Sequence, residues 1–196
     1  STTTAENALE LLDEIEFDGE TIKLGLIRAY TTRHGAGPFV TEDNSLNNSI
    51  EEKHNTLGNW QGAFRMGWLD LVAHKYAVEA NGGIDALVIC GLDQISEIQN
   101  VKVCTSYDVP EEELISEMFT PLLDTGHGLR LGNKSDISSR EKLAISLEYV
   151  TPNFVDFFKS DISREESMIE LIETYLESKV LIKSYGPSSK DKIYCS

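Results

Sequence analysis

The chain is 196 residues long, 40% hydrophobic and 26% charged, with 5 prolines, a composition that suits one well-packed core and excludes disordered, collagenous and disulfide-stapled classes. Its 33 acids against 17 bases leave a net charge of −16, a field that repels phosphate backbones and anionic headgroups, so neither nucleic-acid nor membrane partners are expected. Cys90, Cys104 and Cys195 form no Cys-x-x-Cys pair, no apolar run reaches the roughly 20 residues of a spanning helix, and no basic leader opens the chain; the expected setting is a reducing cytoplasm.

Thr3-x-x-Glu6 has the pattern of a capping box ahead of Ala8, Leu11, Leu12 and Ile15, which share a helical face. Phe17-Asp18-Gly19 ends that helix. Ile22, Leu24 and Leu26 alternate and lead through the β-prone Ala29-Tyr30-Thr31-Thr32 into His34-Gly35-Ala36-Gly37-Pro38-Phe39, a strand running into a loop. Two glycines and a proline fix an unusual backbone path at a strand's carboxyl end, where open α/β sheets place ligands; a purely structural turn is the other reading. Residues 43–59 are polar and asparagine-rich, as an exposed, mobile loop is. From Trp68 onward, Leu69, Val72, Ala73, Tyr76, Ala77 and Ala80 follow helical spacing until Asn81-Gly82-Gly83 stops it.

Ala86–Cys90 is short and continuously apolar, the pattern of a strand buried on both faces of a parallel sheet. Cys90 reads as a small core residue rather than a nucleophile. Val101, Val103, Thr105 and Tyr107 alternate as a half-exposed strand does. Gly128-Leu129-Arg130-Leu131-Gly132-Asn133-Lys134-Ser135 imitates a phosphate loop, but Asn133 separates glycine from lysine and no apolar strand feeds it. Ser163-x-x-Glu166 caps a helix with Met168, Leu171, Ile172, Tyr175 and Leu176 on one face and solvated glutamates elsewhere. Val180-Leu181-Ile182 opens a last strand that ends in Ser184-Tyr185-Gly186-Pro187. The expected architecture is a single α/β domain over residues 1–196, its mostly parallel sheet flanked by helices.

Several of these segments, in order, resemble the adenylosuccinate synthetase family. Ala29-Tyr30-Thr31-Thr32-Arg33-His34-Gly35-Ala36-Gly37-Pro38-Phe39 with Thr41-Glu42 is similar to a long and specific family motif. Gly67-Trp68-Leu69-Asp70, opening the helix, resembles its Gly-Trp-(Leu/Phe)-Asp, and Leu92-Asp93 resembles the end of its Thr-Lys-Leu-Asp guanine motif. Val101-Lys102-Val103 through Tyr107 is similar to the strand that follows, and Ser184-Tyr185-Gly186-Pro187 to the family's Ser-Thr-Gly-Pro. The match covers most of this chain but only the C-terminal half of the family's, so the fold implied is the C-terminal part of a P-loop-like structure. The phosphate loop, the aspartate base and the phosphoryl-transfer histidine would lie outside it.

The resemblance implies a ligase in which GTP phosphorylates the 6-oxygen of inosine monophosphate (IMP) and the amine of aspartate displaces that phosphate, with Mg²⁺ neutralising charge on the nucleotide. It implies that Asp93 accepts hydrogen bonds from guanine N–H groups, that Ser184 and Gly186 line the same base pocket, that His34 and Gly35 approach IMP, and that Thr3 and Thr4 approach its phosphate. Arg65, in a loop one residue shorter than the family's aspartate-binding loop, is expected to grip the amino-acid carboxylate. Gly91 stands where the family carries lysine, which keeps ATP in place of GTP, or a different purine monophosphate, open, as it does a non-catalytic nucleotide-binding relative. A homodimer is implied for the complete enzyme, and no turnover for this segment alone.

Overall fold

The computed structural model describes residues 3–52, 55, 61–110, 117–122, 126–133 and 136–195. Its centre is a sheet in which β1 (Leu24–Arg28), β5 (Ala86–Cys90) and β10 (Val180–Ser184) run parallel, and β11 (Lys192–Tyr194) adds an antiparallel edge beside β10. As its unbroken apolar run requires, β5 is the inner strand, with Leu87, Val88 and Ile89 buried. Between β1 and β5 the chain makes the hairpin of β2 (Thr31–His34) and β3 (Phe64–Gly67), then the two-residue β4 (Leu69–Asp70) and helix α2 (Leu71–Ala80).

Asp70 decides where that helix starts. Leu69 and Asp70 pair with Val103 and Cys104 of β6 (Val103–Asp108), and the Asp70 carboxylate accepts the Ala73 N–H at 3.0 Å, so the helix begins two residues after the Gly67-Trp68 pair rather than at it. Gly82 and Gly83 adopt φ of 66° and 89° and end it. A second, mainly antiparallel sheet is built on β6, which pairs with β9 (Thr151–Val155) and β8 (His127–Leu129), the latter joined to β7 (Phe119–Pro121). Only β4 is parallel to β6, so the parallel character belongs to the central sheet.

Helix α3 (Leu92–Ile95) follows β5, α4 (Ile137–Ser146) is capped by Asp136, and α5 (Arg164–Leu176) carries the complete Ser163–Glu166 capping box. Met168, Ile172 and Leu176 of α5 are buried in the main core with Ile89, Leu87, Leu69 and Leu71. Around β6 a second cluster joins Val72, Cys104, Tyr107, Met118, Phe119 and Val150.

Two local expectations are corrected. Helix α1 (Glu6–Glu14) is capped at Ala5 with no side-chain hydrogen bond, so Thr3 and Glu6 form no capping box, and none of its residues is buried. The first part of the 43–59 stretch is packed: Asp43 caps a 3-10 turn over Asn44–Asn48, and Leu46 and Ile50 are buried; residues 53–54 and 56–60 lie outside the described residues. In keeping with the reading of 128–135 as an imitation phosphate loop, Gly128 pairs with Thr120 inside β8; residues 134–135 lie outside the described residues.

Candidate functional site

The carboxyl ends of the three parallel strands form one ledge. The Ala29 N–H, just past β1, donates to the Cys90 carbonyl at 2.8 Å and ties the ends of β1 and β5 together. After β5 the chain turns through Gly91, whose φ is 74° and whose Cβ, were there one, would meet the Tyr30 ring at 3.1 Å. The Tyr30 ring thus fills the space over this position, where the family carries lysine, and its hydroxyl is held above the usual phenol range by burial, with Arg28 beside it opposing. Asp93 comes next, half-buried in the first turn of α3, one carboxylate oxygen accepting from the Gln94 amide at 2.9 Å.

On the neighbouring strand, β10 ends at Ser184. Its buried hydroxyl donates to the Gly186 carbonyl at 3.3 Å, and the Lys192 ammonium donates to the same carbonyl at 2.5 Å. A Cβ on Gly186 would approach the Asp191 carboxylate to 2.8 Å. Tyr185 is fixed to α5 through a 2.6 Å hydrogen bond to Glu165. Because β5 and β10 are adjacent and parallel, the strand ends that lead to Asp93 and to the Ser184–Gly186 turn lie side by side, about one strand spacing of 4.8 Å apart.

The glycine loop leaves β2. Gly35 and Gly37 adopt φ of 72° and 105°, and a Cβ on Gly35 would lie 2.7 Å from the Gln61 carbonyl. The turn at Gly62 packs back against it, with a Cβ there 3.0 Å from the Gly35 Cα. Arg33 donates from Nε and Nη2 to the Ala36 carbonyl at 3.2 and 3.0 Å. Arg65 donates from Nη1 to the carbonyls of Gly35 and Gly37, both at 2.9 Å, and from Nε and Nη2 to the Glu42 carboxylate at 2.8 and 2.6 Å. This fork holds the Glu42 carboxyl below the usual carboxylate range. His34 packs against Phe64 with the rings tilted by 59° and contacts Asn55 at 3.3 Å. The buried hydroxyls of Thr31 and Thr41 have no hydrogen-bond partner among the described residues.

Strand order therefore sets the segments that carry Asp93 and the Ser184–Gly186 turn after neighbouring strand ends, while His34, Gly35 and Arg65 lie together at the hairpin loop. Some of the expected residues have other neighbours. Both parallel N–H groups of the Arg65 fork lie on Glu42. Thr3 and Thr4 are not beside the glycine loop; they line a cavity of about 870 Å³ between α1, the free edge of β1 and the end of α2, where Ala5 N–H donates to Asn81. Residues that sequence reasoning passed over are Glu42, Arg33 and Tyr30, although all three stand in the motif quoted for the loop. The available signal was the isolation of Arg65 as the only base between Lys53 and Lys75, facing the acid that closes that motif.

Fold and site together define an α/β protein of the open-sheet type, with a polar ledge at the carboxyl ends of parallel strands and a glycine loop beside it. The family model described as adenylosuccinate synthetase matches residues 1–127, and the chain belongs to the adenylosuccinate synthetase family. It is 32% identical over 177 residues to the adenylosuccinate synthetase of Hydrogenobaculum sp. (strain Y04AAS1), covering 87% of this chain and 38% of the relative. To that of Aquifex aeolicus (strain VF5) it is 35% identical over 186 residues, covering 87% and 37%. The fully ligated adenylosuccinate synthetase from Plasmodium falciparum shares its fold with a TM-score of 0.68 at 22% identity, over 100% of this chain and 45% of that one. The chain spans about two fifths of the length of the curated relatives it matches. No helix among the described residues is long and apolar enough to cross a membrane.

Proposed function

We propose that this chain forms the nucleotide-recognition part of a cytoplasmic purine-nucleotide ligase in which GTP phosphorylates the 6-oxygen of IMP and aspartate then displaces the phosphate. The observation that carries the reading is the ledge. Asp93 and the Ser184–Gly186 turn, remote in sequence, emerge from adjacent parallel strands. A carboxylate offers acceptors and no donor, which suits the adjacent N–H groups of guanine. Ser184 and Gly186 border the same base, while His34 and Gly35 approach the IMP ribose and phosphate through backbone groups. Thr3 and Thr4 serve the IMP phosphate in this reading only if the segment before α1 moves from its place beside Asn81.

Aspartate is assigned to the neighbourhood of Gln61 and Gly62, whose turn backs the glycine loop. Among the described residues no three His, Cys, Asp or Glu side chains gather as a metal cluster. Mg²⁺ would travel with the nucleotide phosphates. With the phosphate loop, base and acid assigned outside this segment, the chain by itself turns nothing over, and the complete enzyme works as a homodimer. Gly91 under the Tyr30 ring favours a second reading within the same chemistry, in which ATP or another purine monophosphate is used.

Calorimetric titration of the chain with GDP and with ADP tests the proposal. Saturable GDP binding, abolished or weakened in Asp93→Asn, supports it; equal binding of both nucleotides favours the second reading. Release of phosphate from GTP or ATP on addition of IMP to this chain alone would show that the catalytic groups have been misplaced.

A further inference from the structure

We infer that Arg65 and Arg33 are positioning residues that turn the Gly35–Gly37 loop into an oxygen-binding cup for the purine monophosphate, with Glu42 holding Arg65 in place; the ligand in this statement rests on the nucleotide reading above. Three consecutive carbonyls of the loop, those of Gly35, Ala36 and Gly37, end on the two guanidinium groups. In a trans peptide the carbonyl and the following N–H point in opposite directions, and no peptide bond of the described chain is cis. Drawing the Gly35 carbonyl onto Arg65 therefore turns the Ala36 N–H away from it. Drawing the Ala36 carbonyl onto Arg33 does the same to the Gly37 N–H. The third peptide unit ends in Pro38, which has no N–H to lose.

The outcome is two successive amide donors on an exposed turn, with no backbone acceptor among the described residues, the arrangement by which main-chain nests bind anionic oxygens. The Gly35 N–H is already used on the Ala63 carbonyl at 2.9 Å, so the cup consists of Ala36 and Gly37. Arg33 also places positive charge behind the loop in a chain whose net charge is −16, while the charge of Arg65 is matched by Glu42. The side chain must be arginine at position 65: its fork reaches Glu42 and two carbonyls at once, which the single ammonium of lysine cannot do. Arg65 thus acts on the nucleotide through the loop.

The test is amide-resolved NMR of the 196-residue chain, titrated with IMP and separately with GDP. In the native chain IMP should move the Ala36 and Gly37 resonances. Arg65→Lys should weaken IMP by about tenfold, the scale of one lost charge-assisted hydrogen bond, and leave GDP within about twofold. Should Arg65→Lys fail to fold, Glu42→Gln, which keeps the carbonyl contacts but loosens the fork, should weaken IMP about threefold. IMP affinity unchanged in the variant that folds, or IMP-induced shifts that miss Ala36 and Gly37, overturns the inference. If the native chain binds neither nucleotide, the proposed function fails. The loop is then judged in the free protein, where unchanged Gly35–Gly37 resonances in Arg65→Lys or Glu42→Gln overturn the clasp and displaced ones support it.

Discussion

Tyr107→Phe tests the buried link that fixes the start of α2 against the second sheet. The Tyr107 hydroxyl, on a side chain 1% exposed, donates to Asp70 at 2.6 Å. Asp70 is itself 4% exposed and also accepts the Ala73 N–H. Phenylalanine occupies the same volume, so no cavity term enters, and the loss is that of a hydrogen bond to a buried carboxylate, about 1.5–3 kcal/mol. For a chain of this length that lowers Tm by about 3–12 °C. The pH dependence has a definite sign. Burial raises the Asp70 carboxyl above its usual value, although the Tyr107 and Ala73 hydrogen bonds pull it down. A carboxyl raised in the folded state contributes stability at low pH that is lost as pH rises through its folded value. Below that value Asp70 is neutral, and the Tyr107→Phe penalty should shrink to that of a neutral bond, about 1 kcal/mol. Urea denaturation at pH 7.5 and at the lowest pH where the chain stays folded measures both. A loss under about 0.5 kcal/mol at neutral pH, the scatter of neutral surface changes, would refute the reasoning, as would a penalty that grows on acidification.

Asp93→Asn replaces one acceptor oxygen with a donor facing guanine N–H groups; an affinity loss for GDP of about 5- to 150-fold is expected by calorimetry, corresponding to about 1–3 kcal/mol for groups left unpaired, with ADP little changed. Gly35→Ala demands a left-handed backbone at a cost of roughly 1–2 kcal/mol and drives its Cβ onto the Gln61 carbonyl, so IMP binding should fall while the Asp93 ledge keeps its GDP affinity. Ser163→Ala removes the acceptor that caps the Glu166 N–H at 3.1 Å and should destabilise the chain by about 1 kcal/mol in chemical denaturation. Glu42, depressed by Arg65, contributes its loop-holding interaction above the ordinary glutamate value and loses it as pH falls through the lower folded value; the Gly35–Gly37 amide resonances should move over that acid window in the native chain and stay still in Glu42→Gln.

Much of the fold was legible in one dimension because it is encoded by local rules. The unbroken apolar run of β5 marked an inner parallel strand, Asn81-Gly82-Gly83 marked the end of α2, and Ser163 with Glu166 marked the start of α5. The short strands β7, β9 and β11 were not legible, since three to five residues with mixed exposure carry no period long enough to read and are held by their partners. Thr3 and Glu6 satisfied a capping pattern that the backbone ignores: the cap falls on Ala5, one residue before Glu6, and the Ala5 N–H is held by Asn81.

The candidate site divides in the same way. The sequence by itself determined the candidates: the glycine loop, Asp93, and the Ser184–Gly186 turn are local motifs whose residue types restrict what they can do. Only the tertiary structure decided which segments are neighbours. Strand order set Asp93 beside Ser184, because β10 pairs with β5 across nearly half the chain. Hairpin register set Arg65 opposite Arg33 and within reach of Glu42 and the loop carbonyls. Pairing across a sheet is a long-range choice made by the burial of whole faces, and no local spacing records it.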